Sequence, residues 1–137
     1  MDPRPIAAKP RTVTHGAASV HLFEGGACKV RMAGTAGDGD VASWLLPIFD
    51  EVHAVARDAA ASEAVLDLRG LEYANASMWK CVVAWLRTMH EDKTSSYVLR
   101  VEASRAARWQ QMGLPMLKAF GRGRLQLQGL NGPLTGK

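Results

Sequence analysis

Between residues 64 and 91, a short apolar run, a polar loop and an amphipathic helical pattern follow one another, and this succession constrains the fold more than any other feature. The apolar run, residues 64–68, is typical of a central strand covered on both faces. The loop is Asn75-Ala76-Ser77, and Ser77 as N-cap predicts a helix over residues 78–91. Strands that alternate with helices predict a mostly parallel or mixed sheet, because a parallel neighbour needs a crossover connection.

Apolar patterns before residue 64 predict a hairpin and a first helix. Alternation on both sides of Gly25-Gly26 predicts a β-hairpin with one buried face. The alternating residues are Val20, Leu22, Cys28, Val30 and Met32. Helical spacing then predicts a helix over residues 41–60, in which Pro47 either delays the start or causes a kink.

The C-terminal third continues the alternation of strands and helices. Residues 97–101 and 125–127 are predicted strands, and Ser104 is expected to cap a helix over 105–112 that ends at Gly113 in a left-handed conformation. The predicted fold is therefore one α/β domain over residues 13–128: a mixed β-sheet with an N-terminal hairpin, packed against helices in the order β-β-α-β-α-β-α-β. Residues 1–12 are predicted to be a flexible leader, and residues 129–137 a flexible tail.

The composition favours a cytoplasmic protein with no membrane segment. With 137 residues, 47% of them hydrophobic, the chain can bury a core without metal or disulfide support. No apolar run approaches the ~20 residues of a membrane span, and the first dozen residues lack the apolar core of a signal peptide. Cys28 and Cys81 lie in apolar patterns and are expected to be reduced core residues.

Basic residues are concentrated at the C-terminal end, where residues 103–137 contain no acidic side chain. The basic residues there are Arg105, Arg108, Lys118, Arg122, Arg124 and Lys137. Such a segment is either a solvated edge, the interpretation we favour, or a surface for an acidic partner or nucleic acid. Nucleic-acid binding is not favoured, because no ladder of aromatic residues alternates with these charges.

The predicted central helix carries two apolar stripes at ~3.6 residues per turn. The stripe expected to face the sheet consists of Trp79, Val82, Val83, Leu86 and His90. The other stripe consists of Met78, Cys81, Trp85 and Met89. This second stripe is either part of a wide buried arc or an exposed patch for protein contacts, and its position next to the polar loop favours the patch slightly. We therefore predict a partner-binding surface of Asn75, Ala76, Ser77, Met78, Lys80, Cys81, Trp85 and Met89.

The strand and the loop together resemble the STAS family, the sulfate-transporter and anti-sigma factor antagonist domain. That family has an apolar strand ending in Asp-Leu, then an apolar pair, then Asp-Ser-Ser-Gly opening a helix. Residues 65–78, VLDLRGLEYANASM, fit this pattern without a gap, and residues 105–120, RAARWQQMGLPMLKAF, are similar to the family's last helix and Gly-Leu turn. Tyr73, Asn75 and Ser77 also match the Tyr-x-Asn-Thr/Ser-Ser loop of single-domain bacterial partner-switching regulators.

The resemblance implies a non-enzymatic bacterial signalling regulator that controls transcription by binding a protein. The implied partner is a kinase-type anti-sigma factor, a phosphatase or a signalling effector, and a homodimer stays an open expectation. The resemblance also implies partner switching, in which phosphorylation of a loop hydroxyl blocks binding and a phosphatase restores it. The family's phosphoacceptor position is Ala76, which has no hydroxyl, whereas Ser77 beside it has one and is the candidate phosphorylation site. We therefore expect binding that is permanent or switched by other means. A scaffold subunit of a signalling assembly and a small-ligand or nucleotide-binding module remain alternatives.

No residue pattern predicts catalysis, a cofactor or a metal site. The four histidines lack ligand spacing, and the glycines before the first helix are not followed by the Lys-Ser/Thr of a phosphate-binding loop. Cys81 has no base at suitable spacing, and no pair of carboxylates is placed for acid–base chemistry. The sequence therefore favours recognition over catalysis.

Overall fold

In the computed structural model, which describes residues 8–37 and 39–131, six strands form one mixed sheet. The strands are β1 (Arg11–His15), β2 (Ala18–Leu22), β3 (Lys29–Ala36), β4 (Glu63–Ala74), β5 (Val98–Glu102) and β6 (Leu125–Gln128). They lie side by side in chain order. The pairs β1–β2 and β2–β3 are antiparallel, and β3 to β6 are parallel. The predicted α/β class and mixed sheet are thus confirmed.

Helices fill the connections between the parallel strands. They are α1 (Val41–Asp58), α2 (Ala76–Glu91), α3 (Arg108–Gly113) and α4 (Lys118–Gly121), with a 3-10 turn, Leu114–Leu117, between the last two. A further 3-10 turn, Glu24–Gly26, closes the predicted hairpin of β2 and β3, in which Val20 pairs with Met32. Pro47 lies inside α1, which begins at Val41, so the helix does not start late.

One hydrophobic core lies between the sheet and the helices. Alternate strand residues face it, and these include Val20, Met32, Leu66, Leu68, Leu99 and Val101. Residues of α1, of α2 and of the turn after α3 belong to the same core, so these elements cover the same face of the sheet. None of the helices found in residues 8–37 and 39–131 is long and apolar enough to cross a bilayer.

The opposite face of β4 is covered by charged side chains. Asp67 is 2% exposed there and accepts hydrogen bonds from Arg69 Nε at 2.9 Å and from another Arg69 guanidinium nitrogen at 2.8 Å. Lys29 Nζ lies 3.7 Å from the same carboxylate. Burial alone would raise the pKa of Asp67, but the hydrogen bonds from Arg69 outweigh it and lower that pKa. Residues 64–68 are therefore buried as predicted, one face under helices and the other under ion pairs.

Several predicted boundaries are wrong. Arg11 and Thr12 belong to β1, which pairs with β2, so the predicted leader over 1–12 extends too far and the order contains one more strand. Residues 1–7 of that leader and residues 132–137 of the predicted tail lie outside the described residues. In the described part of the tail, Leu130 packs against the core. α3 begins at Arg108 rather than at residue 105.

Gly113 does not end the helical segment in a left-handed conformation. Its φ and ψ are −84° and −37°, and the chain continues through the 3-10 turn into α4. The helical segment ends only at Arg122, whose φ is +46°. Glycine has a different role at position 113, because a Cβ there would lie 2.7 Å from the ring of Trp79. The residue permits close contact with an aromatic ring, a requirement that no local sequence signal reveals.

Candidate functional site

Asn75 organises the loop between β4 and α2. Its Oδ1 accepts a hydrogen bond from the backbone N–H of Ser77 at 3.0 Å, so Asn75 is the N-cap and the prediction that Ser77 caps the helix is wrong. Its side-chain amide lies 3.4 Å from the carbonyl oxygens of Gly37 and Gly39 and donates to both. Its backbone N–H donates to Ala36 at 3.2 Å. The start of α2 is therefore tied to the segment that precedes α1.

The loop and the first turn of α2 present part of the predicted surface to solvent. Ala76 and Lys80 are exposed, and Asn75 and Ser77 are half-buried. Ala76, the residue without a hydroxyl, is thus more accessible than Ser77. These four predicted site residues lie together at one end of the helix.

The other four predicted site residues are in the interior, which corrects the prediction of an exposed stripe. Met78, Cys81, Trp85 and Met89 are between 0% and 2% exposed. The wide buried arc, the alternative interpretation of the sequence, is the correct one. Burial raises the pKa of the Cys81 thiol to about 11, so this cysteine is neither a partner contact nor a reactive thiol.

α1 is the reason for this burial. The rings of Phe49 on α1 and Trp85 on α2 lie 4.6 Å apart, and α2 contacts α1 as well as the sheet. A helix with two neighbours needs an apolar arc wider than one stripe. The second apolar stripe of α2 therefore belongs to the core.

Only part of the stripe that was expected to face the sheet is buried in the structure. Val82 and Leu86 are buried in the core, whereas Trp79 and Val83 are half-exposed. His90 Nε2 lies 3.0 Å from the carbonyl oxygen of Gly121, to which it donates, and this bond joins α2 to α4. The apolar side chains that α2 shows to solvent are thus on the side that the sequence assigned to the interior.

An aromatic cluster lies at the start of this exposed side. The rings of Trp79 and Trp109 are 5.5 Å apart, and those of Trp109 and Tyr73 are 6.0 Å apart. Trp109 Nε1 donates to the carbonyl oxygen of Glu72 at 2.8 Å, which fixes α3 against the end of β4. Tyr73 remains 51% exposed.

A groove runs from this cluster between α2 and the segment that contains α4. It has a volume of about 510 Å³ and is predominantly apolar. Its lining consists of Ala76, Trp79, Lys80, Val83, Ala84, Arg87, Met116 and Phe120. Met116 is 47% exposed and Phe120 40%, so the groove presents two large apolar side chains to solvent side by side with Trp79 and Val83. We call this feature the α2–α4 groove.

The α2–α4 groove carries positive charge. Its lining contains Lys80 and Arg87 and no acidic residue, and the neighbouring cavity, which shares Val83, Arg87 and Phe120 with it, adds Arg122 and one carboxylate, Glu91. The Lys and Arg residues of α2 and of residues 108–122 are Lys80, Arg87, Arg108, Lys118 and Arg122, all exposed. Within the described chain, none of these five forms an ion pair. Of the basic C-terminal residues noted in the sequence, Arg122 thus lies beside the groove, where it joins two cations of α2 next to an apolar surface.

A buried polar chain, which the sequence did not reveal, fixes α2 from the inside. Tyr97 OH accepts from Trp85 Nε1 at 2.8 Å and lies 2.6 Å from His53 Nδ1, while His53 Nε2 lies 2.8 Å from Asp92. Because the hydroxyl hydrogen of Tyr97 is then free to donate to Nδ1, the network assigns the His53 proton to Nε2, which donates to the carboxylate. Tyr97 is fully buried, and burial raises its pKa. This series of hydrogen bonds is thus centred in the core and joins α1 and α2 to Tyr97, directly before β5, and to Asp92, directly after α2.

A second concave surface, of about 520 Å³, lies at the carboxyl ends of β5 and β6. Its lining includes Arg69, Glu102, Ser104, Arg105 and Gln128. Its charged groups already bond to protein: Arg69 to Asp67, Arg105 to the carbonyl oxygen of Leu130 at 3.1 Å, and Glu102 to Arg100 at 3.4 Å. Among residues 8–37 and 39–131, no three His, Cys, Asp or Glu side chains are grouped so that they could hold a metal ion.

No protein-family model matches the sequence, and no curated protein matches it significantly.

Proposed function

We propose that the protein is a non-enzymatic signalling regulator of the STAS type, which binds a protein partner through the loop 75–77 and the exposed side of α2. The observation that carries the proposal is the continuity of the exposed loop with the α2–α4 groove: Ala76 of the loop also lines the groove, and so does Lys80 in the next turn of α2. An apolar surface with a polar rim is typical of protein interfaces. The six-stranded mixed sheet and the helix that follows β4 agree with the resemblance of residues 65–78 to that family.

The loop suits recognition because its backbone is held in place before a partner arrives. Three hydrogen bonds of the Asn75 side chain, to Ser77, Gly37 and Gly39, fix its conformation. A preorganised loop loses little conformational entropy on binding, and the partner contact retains more of its interaction energy.

The exposed residue of this loop, Ala76, cannot be phosphorylated. Ala76 has no oxygen to accept phosphate, and the hydroxyl of Ser77 belongs to a half-buried residue. We therefore propose that the unmodified protein is permanently competent to bind. A negative charge introduced at Ser77 is expected to prevent binding, because it places an anion within the contact surface.

Affinity capture from the native cell, followed by binding measurements with the purified partner, tests the proposal. Ser77→Ala is expected to bind as the parent does, and Ser77→Glu at least tenfold more weakly, a cost of about 1.4 kcal/mol or more. Glu is compatible with folding here because the first turn of a helix favours negative charge. Ser62→Glu, an exposed serine before the other end of β4, is the matched control and is expected to bind normally.

A second pair of variants examines the exposed side of the helix. Lys80→Glu is expected to weaken partner binding, whereas Lys93→Glu, on the exposed residue two positions beyond the last residue of α2, is expected to leave it unchanged. The two lysines are about 20 Å apart along the helix axis. Equal affinities for the parent, Ser77→Glu and Lys80→Glu would refute the proposed contact surface.

A further inference from the structure

The geometry points to an amphipathic helix with acidic residues beside its apolar stripe as the occupant of the α2–α4 groove. This inference rests on the proposed function and adds the class of partner segment and the place where it binds. It follows from three properties of the groove: its apolar floor, its length and its charge.

The floor is apolar and is formed by side chains that the fold holds in position. Trp79 lies against Gly113, where no Cβ intervenes, and packs on Trp109. Val83 and Phe120 line the groove further along α2. Its volume of about 510 Å³ lies within the ~300–1,000 Å³ of sites that enclose organic ligands, so several side chains of a partner fit into it.

The length and walls of the groove favour a helical occupant. On α2 the lining extends from residue 76 to residue 87, which corresponds to about 17 Å or three turns of helix. Both walls are helical segments, so no free strand edge is available for an extended peptide to join. A helix that places apolar residues at i, i+3, i+4 and i+7 into the groove uses the side chains that are present.

The charge of the groove selects an acidic partner. The lining of the groove contains no acidic residue, and the one carboxylate of the neighbouring cavity, Glu91, is accompanied there by Arg87 and Arg122. Lys80 and Arg87 lie in the lining itself. Acidic residues beside the apolar stripe of a partner helix would meet these cations, whereas a basic helix would be repelled.

The direct test uses labelled peptides of about 16 residues with leucine at i, i+3, i+4 and i+7 spacing and with Glu, Gln or Lys at the other positions. Fluorescence anisotropy is expected to show binding of the Glu peptide to the full chain, and at least tenfold weaker binding of the Gln and Lys peptides. The Glu peptide is expected to bind at least threefold more weakly when salt rises from about 50 to about 300 mM.

Variants of the groove locate the peptide. The double variant Met116→Ala/Phe120→Ala removes exposed side chains, so the fold is expected to persist while affinity for the Glu peptide falls at least tenfold. Met112→Ala is the matched control, because Met112 is 72% exposed and does not line the groove. Circular dichroism and urea unfolding verify that all variants are folded.

Several results would overturn the inference. These are failure of the Glu peptide to bind at about 1 mM, equal binding of the Lys peptide, and insensitivity of peptide binding to Met116→Ala/Phe120→Ala. Binding of the parent, but not of the double variant, to phosphatidylserine vesicles in the absence of peptide binding would instead identify a membrane-binding surface.

Two comparisons separate this inference from the proposed function. If cellular partner binding is lost in Ser77→Glu but retained in Met116→Ala/Phe120→Ala, the loop binds a partner and the groove does not. If the Glu peptide binds in the groove while Ser77→Glu leaves cellular partner binding intact, the proposed loop contact fails and the groove site stands.

Discussion

Removal of one buried hydroxyl tests whether the polar chain inside the molecule holds α2 in place. In Tyr97→Phe the ring remains and only the oxygen is lost, so no large cavity forms in the core. The oxygen accepts from Trp85 Nε1 at 2.8 Å and lies 2.6 Å from His53 Nδ1. Both groups belong to buried residues and would lose a hydrogen-bond partner.

The expected cost follows from the number of groups left unpaired. A buried donor or acceptor without a partner costs ~1–3 kcal/mol. Two groups are affected, but His53 keeps its contact with Asp92 through Nε2 at 2.8 Å. The free energy of unfolding is therefore expected to fall by about 2–4 kcal/mol. With a urea m-value of about 1.5 kcal/mol/M, the unfolding midpoint would decrease by about 1.3–2.7 M.

Urea unfolding followed by circular dichroism measures this change, and Tyr73→Phe is the matched control. Tyr73 is 51% exposed, and its hydroxyl forms no hydrogen bond within the described residues, so its removal is expected to change the free energy of unfolding by less than about 0.5 kcal/mol. A Tyr97→Phe midpoint within about 0.3 M of the parent at an unchanged m-value would refute the network as described.

Four further substitutions or measurements test other parts of the structure. Trp85→Ala is expected to destabilise the fold by about 3–5 kcal/mol, because it removes a core ring and a buried donor; a thermal melt close to that of the parent would show that the ring is not in the core. Burial raises the pKa of Cys28 and Cys81 to about 11, so a thiol reagent at pH 8 is expected to label neither in the folded protein and both in denaturant. Hydrogen bonds from Thr94, and to a smaller extent from His53, lower the pKa of Asp92. The ionised carboxylate therefore stabilises the fold fully above the ordinary carboxyl pKa of ~3.9. This stabilisation is lost as the pH falls through the lowered pKa of the folded state. Asp92→Asn is therefore expected to lower the free energy of unfolding at pH 7 and to make it fall less steeply as the pH decreases. Urea titrations of the parent and the variant at a series of pH values measure this, and parallel pH profiles would contradict it. Gly113→Ala places a Cβ 2.7 Å from an indole, so we expect altered tryptophan fluorescence and weaker binding in the α2–α4 groove, whereas an unchanged spectrum would argue against that contact.

Local patterns in the sequence determined much of the secondary structure. The alternating residues of β2 and β3 predicted a hairpin because successive side chains of a strand face opposite sides. The apolar run at residues 64–68 predicted a buried strand, and the helical spacing after Asn75 predicted α2. Each of these signals depends on the near neighbours of a residue in the chain. β1 was missed because its burial pattern is largely exposed, so it lacks the alternation that reveals a strand.

The face that α2 turns inward was decided only by the tertiary structure. Both apolar stripes of the helix satisfy the period of ~3.6 residues, so periodicity cannot rank them. The position of α1 decides which stripe is buried. Phe49 of α1 packs on Trp85, so the stripe that contains Trp85 lies in the core, whereas Trp79 remains at the surface. The α2–α4 groove likewise depends on contacts between distant residues, such as Trp79 with Gly113. The sequence by itself determined which residues of α2 are apolar, and the packing of distant elements determined which of them remain free to bind a partner.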